Sequence, residues 1–156
     1  MLQKNAIKEI QNAIGYAFKN KQLLTQAFTR AAYHNEHPES PDNEVMEFYG
    51  DAILSQVVTR MLVKKHTKQS SHGLFFSQTE GGLTTQRSNL TCNSYLALQI
   101  DRLGLKKYLR NGNSPVTPSI DVLANLCESL VAAVFLDSRE NIKKTTKVVF
   151  RLLNLG

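Results

Sequence analysis

From Val122 to Leu136 the chain reads VLANLCESLVAAVFL, a fifteen-residue stretch whose only charged side chain is Glu128. A helix that is apolar all round belongs in the centre of a core, so the other helices must pack around this one. A lone carboxylate removed from water costs several kcal/mol unless it is protonated, paired or bound to a cation. Its strongly polar neighbour on the same helical face is Asn125, one turn earlier. The run is also too short to cross a bilayer, which takes about 20 residues. A core helix with a functional carboxylate is the expectation.

A second apolar stretch, Val45-Met46-Phe48-Tyr49-Ala52-Ile53-Leu54, is interrupted by Glu44, Glu47 and Asp51. At about 100° per residue these three acids share one helical stripe. Such a stripe is also what the solvated face of an ordinary amphipathic helix looks like. Glu128 favours another arrangement, in which the two helices face each other and their acids meet. Apposed carboxylates raise one another's pKa, and a divalent cation relieves the repulsion by taking oxygen ligands from both helices. An all-oxygen set favours Mg²⁺ or Mn²⁺ over zinc. A di-iron bundle calls for Glu-x-x-His, and none of His34, His37, His66 or His72 follows a Glu at that spacing.

Charge distribution supports a local acidic site on a basic protein. The net charge is +6, yet Glu44, Glu47, Asp51, Glu80 and Glu128 are five of only thirteen acids against nineteen Lys and Arg. The remaining surface is strongly basic and suits a polyanionic partner. Candidate cations for such contact are Arg60, Lys64, Lys65, Lys106, Lys107 and Arg110, although Arg60, Lys64, Lys65 and Lys68 also sit where a helix C-terminus favours positive charge. Cys92 and Cys127 lack metal-ligand spacing, and Cys127 falls within the apolar run as a small hydrophobe, consistent with a reducing compartment. Ile7, Ile10, Ile14 and Phe18 recur at helical intervals with no signal-peptide core between them. A soluble, cytoplasmic protein with no membrane partner is expected.

Helical periodicity prevails throughout, and 156 residues fit one domain. The pattern predicts an all-α fold with helices near 3–14, 20–33 and 43–65, and a stretch from 83 to 103 that breaks near 91–93. A buried helix around Glu128 and a final helix near 139–153 follow. The segments from His34 to Asn43, from Lys68 to Gly82 and from Asn111 to Ser119, the last with Gly112, Pro115 and Pro118, are expected to be loops.

These residues together resemble the ribonuclease III endonuclease domain. Its signature Asn-Glu-x-x-Glu-Phe-x-Gly-Asp-Ala/Ser-x-Leu is matched by Asn43-Glu44-Val45-Met46-Glu47-Phe48-Tyr49-Gly50-Asp51-Ala52-Ile53-Leu54. Ile14-Gly15-Tyr16-Ala17-Phe18, Leu23-Leu24 and Ala27-Phe28-Thr29 resemble its opening blocks, Glu80 to Arg87 a third, and Leu123 through Asp137 the last. The resemblance covers residues 1–156 in order, as one helical-bundle nuclease domain, with no double-stranded RNA-binding domain in this chain. It implies an endoribonuclease that hydrolyses double-stranded RNA by metal-activated water, leaving 5′-phosphate and 3′-hydroxyl ends. Glu47, Asp51, Asn125 and Glu128 would be the catalytic and metal-binding positions for Mg²⁺, with Mn²⁺ as a substitute. Glu44 and Glu80 would be auxiliary acids, and Phe48 would insert into the partner of a homodimer.

Two positions depart from the family pattern. Asn125 stands where the family usually has Asp, so one ligand becomes a neutral amide. Thr29-Arg30-Ala31-Ala32 stands where Thr-His-x-Ser is common. Asn125 separates two functional expectations: an active nuclease, and a weakened or inactive relative that keeps the fold and dimer and binds RNA or protein.

Overall fold

A computed structural model describes residues 1–113 and 117–155. Its elements run α1 (Lys4–Ile14), α2 (Lys21–Ala27), α3 (Ala31–Glu36), α4 (Glu44–His66), β1 (Thr67–Ser70), β2 (Gly73–Phe76), α5 (Glu80–Thr91) and α6 (Asn93–Arg102). A 3₁₀ turn at Lys106–Tyr108 leads to α7 (Ile120–Asp137) and α8 (Ile142–Leu152). Pro115, predicted to lie in the loop before α7, falls outside the described residues.

The apolar run becomes α7, and it is the central helix, packed against α2, α4, α6 and α8. Leu126, Cys127, Leu130, Val131 and Val134 have no exposure. The Ser119 side chain begins α7 by accepting from the Val122 N–H at 3.3 Å. At its other end Asp137 is buried and accepts from the Tyr16 hydroxyl at 2.9 Å and from the backbone N–H groups of Lys19 and Asn20 at 2.9 and 2.7 Å. One carboxylate therefore fixes the α1–α2 connection to the core helix. Burial, and then the Asp137 hydrogen bond and charge, push the Tyr16 phenol well above its ordinary pKa.

The structure departs from the sequence pattern in three places. The helix expected over 20–33 is two short helices, because the chain between them pairs with a distant segment. Arg110 N–H donates to the Phe28 carbonyl at 2.8 Å, and Arg30 N–H to the Arg110 carbonyl at 3.1 Å. The loop expected from Lys68 to Gly82 holds an antiparallel hairpin, β1 with β2, whose turn uses Gly73 at φ 122°. The last helix starts at Ile142 instead of 139, since Arg139 and Glu140 both have positive φ and Asn141 caps it through the Lys144 N–H. The break expected near 91–93 falls at Cys92.

Candidate metal centre

Helices α4 and α7 cross at Gly50. A Cβ built there would lie 1.9 Å from the Glu128 carbonyl oxygen and 2.4 Å from its carbon, so only glycine lets the two backbones meet. Glu47 lies one turn before Gly50 on α4 and Asp51 directly after it. The contact that joins the helices therefore also sets these two acids against Glu128.

A second tie lies about two turns earlier, at the start of α4. Asn43 is buried at the start of α4, donates from Nδ2 to the Ala27 carbonyl at 3.1 Å and accepts on its own carbonyl from the Ser129 hydroxyl at 3.3 Å. The Asn43 side chain thus holds α2 and does not cap α4, while Asp42 Oδ1 takes the Glu44 N–H at 3.1 Å. Neither Gly50 nor Ser129 was assigned a role from sequence, although Gly50 stands within the matched signature.

Electrostatics follow from this crossing. Glu128 retains 9% exposure. Burial pushes its carboxyl up to about 7, and the charges of Asp51 and Glu47 push in the same direction. Glu47 is half-buried and is raised by burial and then by Glu44. Glu44, Glu47, Asp51 and Glu128 therefore form a chain of mutually repelling carboxyls across two helices. Asn125 is half-buried one turn before Glu128 and places an amide on the same face. Buried Cys127 is raised to about 12 by burial and by Glu128, which leaves it an inert thiol.

Among the described residues no three His, Cys, Asp or Glu side chains close into a ready-made cage. The donor set is all oxygen, and the raised carboxyls are those a cation would stabilise, so the residues fit an ion such as Mg²⁺.

Glu80 is not brought into this chain of acids. It opens α5, accepts from the Thr84 hydroxyl at 3.0 Å, and lines a groove with Thr59, Val63 and Phe76, about two helical turns beyond Asp51 along α4. Phe48 is 78% exposed and so is no part of the core. With exposed Val45 and Tyr49 it forms an apolar face beside the acids, where Tyr49 meets the Phe135 ring edge-on at 5.8 Å. Three of the candidate cations have internal partners. Lys107 pairs with Glu9 at 3.1 Å, Lys106 with Asp101 at 4.0 Å, and Arg110 lies over the Tyr33 ring and donates to Thr29. No helix among the described residues is long and apolar enough to cross a membrane.

Comparison with known proteins places this helical bundle, whose central helix sets a buried acid against the acids of a neighbouring helix, in a family. The model of the Ribonuclease-III-like family matches residues 20–154, and the chain belongs to that family. A ribonuclease 3 of Treponema succinifaciens is 39% identical across 99% of this chain, and one of Rickettsia felis is 33% identical across 94%. The chain spans only 43% and 63% of those two proteins. The nuclease domain of Campylobacter jejuni ribonuclease III superposes with a TM-score of 0.80 at 26% identity, covering 97% of this chain and 95% of that one. A further structure of that domain, which describes flexibility in its dimer-forming region, matches with the same TM-score at 25% identity over 95% of this chain and 96% of that one.

Proposed function

We propose that residues 1–156 form one nuclease domain that hydrolyses double-stranded RNA as a homodimer with Mg²⁺, for which Mn²⁺ can substitute. The observation that carries this is the Glu128 carboxyl, raised to about 7 at the Gly50 crossing against Asp51 and Glu47, within a chain of this family. Glu47, Asp51 and Glu128 would hold the ion with charged oxygens, and Asn125 with an amide oxygen. A bound divalent ion supplies Lewis-acid activation of water and stabilisation of the leaving 3′-oxygen, giving 5′-phosphate and 3′-hydroxyl ends. Glu128 must release its proton before its oxygens can serve, so metal binding strengthens as pH rises toward the metal-free value of about 7. Glu44 adds negative potential behind Glu47, and Glu80 acts from the groove beyond α4 as an auxiliary acid. Phe48 and its apolar face meet a second copy, which provides one site for each strand. The cytoplasm, where thiols stay reduced, is the fitting location.

The test is Mg²⁺-dependent cleavage of a long RNA duplex by this chain beside Glu128→Ala and Asn125→Asp. Staggered products from the parent and a loss of at least about 100-fold in Glu128→Ala are expected. If Glu128→Ala cleaves like the parent, the site is wrong. If the parent is inert even in Mn²⁺ while Asn125→Asp cleaves, the chain is instead a non-cutting member that binds RNA or protein.

A further inference from the structure

Between Arg60 and Arg87 the chain carries five cations, Arg60, Lys64, Lys65, Lys68 and Arg87, against one acid, Glu80. The same segment exposes three apolar side chains in succession, Leu74 at 59%, Phe75 at 60% and Phe76 at 51%. An edge strand of that kind is an adhesive surface that a solitary protein has reason to avoid. Strand register divides its side chains between two faces. Phe75 pairs across the hairpin with Lys68, so an aromatic ring and a cation share one face. Phe76 is on the other face and lines a groove of about 430 Å³ with Leu62, Val63, Glu80, Leu83 and Arg87. The Phe75 face thus pairs an aromatic ring with a cation, and the groove sets Phe76 beside one cation and one acid.

A second copy of this chain would bring its own cations to this surface, and a purely apolar partner would leave them unmatched. A duplex keeps its bases stacked inside and offers phosphates but no flat apolar face. Unpaired nucleotides offer both, and single-stranded recognition combines aromatic stacking with backbone cations. The hairpin starts directly after α4, sixteen residues beyond Asp51 and about 24 Å along the helix axis, and so lies outside the proposed cleavage position. We propose that this hairpin and its groove bind unpaired nucleotides flanking the duplex, with bases on Phe75 and Phe76 and phosphates on Lys68 and Arg87. The substrate class is then a structured RNA with a loop or tail. This rests on the endoribonuclease assignment above.

The test titrates the chain carrying Glu128→Gln, to prevent turnover, in Mg²⁺ against a fluorescent blunt RNA duplex and the same duplex closed by an unpaired loop. Adding Phe75→Ala and Phe76→Ala should weaken binding of the looped RNA tenfold or more and of the blunt duplex less than twofold. Phe75→Ser alone, which leaves the groove intact, should give a smaller loss of the same selectivity. Equal weakening of both RNAs, or no change in either at an unaltered melting temperature, overturns the proposal. Unchanged RNA binding with altered sedimentation overturns it too and assigns the strand to a protein contact. If the parent chain cleaves neither RNA in Mg²⁺ or Mn²⁺, the endoribonuclease assignment itself fails.

Discussion

Gly50→Ala adds one methyl group at the point where α4 and α7 touch. The new Cβ would fall 1.9 Å from the Glu128 carbonyl oxygen, and real Cβ atoms essentially never approach another heavy atom closer than 3.0 Å. The obstacle is backbone on both sides, so no side-chain rotation relieves it. The helices must part by about 1 Å, an overpacking strain that costs about 1–3 kcal/mol. For a chain of this size that lowers the melting temperature by roughly 3–10 °C. The catalytic loss should be larger than this strain implies. Glu128 is drawn away from Glu47 and Asp51 together, and a misplacement of about 1 Å costs on the order of 100-fold in rate. The assay pairs thermal unfolding with cleavage of duplex RNA at a temperature where the variant is fully folded. Gly81→Ala is the control, because nothing lies within 4 Å of its Cβ position. A Gly50→Ala chain that melts within a degree of the parent and cleaves at the parent rate would refute the assigned crossing.

The other predictions concern charge, assembly and the core latch. Without metal, Glu128 titrates near 7 in the folded chain and near 4.5 unfolded, so its stabilising effect is complete below about 4.5 and is lost as pH rises through about 7. That loss is on the order of 1–2 kcal/mol after allowing for water in the cleft, and denaturant melts of Glu128→Gln against the parent should lack this part of the slope. Asn125→Asp should lower the half-saturating Mg²⁺ about tenfold in cleavage assays, since 1.4 kcal/mol is modest for one more carboxylate near a divalent ion. Phe48→Ala would remove a ring from both sides of the proposed isologous interface, about 4 kcal/mol in total, so sedimentation at micromolar concentration should show a dimer for the parent and monomer for the variant. Asp137→Asn weakens three hydrogen bonds to a buried carboxylate and should cost about 2–4 kcal/mol by thermal melting, with Tyr16→Phe costing less.

What the sequence made legible follows physical lines. The central helix was evident because fifteen residues with one charge have few other places to go, and Glu128 was conspicuous for the same reason. The α4 acids were legible through helical spacing. What stayed hidden depended on partners far along the chain. The pairing of Thr29 and Arg110 that splits the second helix joins segments 81 residues apart, and no local pattern announces it. The hairpin was concealed because its strands alternate poorly: TKQS has no apolar face, and GLFF has apolar side chains on both. Gly50 stood within the matched signature, but its purpose appears only when another helix backbone is placed against it.

One contact therefore fixes geometry and electrostatics together. If α4 and α7 were separated by an ordinary side-chain layer, Glu47 and Asp51 would sit farther from Glu128, and water would screen each acid from the others. The glycine contact removes that layer, which raises the Glu128 carboxyl to about 7 and leaves it only partly ionised near neutral pH until something positive arrives. In that setting Asn125 offsets part of the cost. A fourth carboxylate one turn from Glu128 would add repulsion to a core helix already burdened by one, whereas the amide supplies an oxygen with no net charge. On the proposed assignment the metal-free chain is easier to fold as a result, and the affinity given up with that charge would be supplied by higher Mg²⁺ or by the phosphates of bound RNA. Asn125→Asp should therefore increase metal affinity and lower metal-free stability in the same protein, two opposite shifts that a merely surface-exposed Asn125 would not produce.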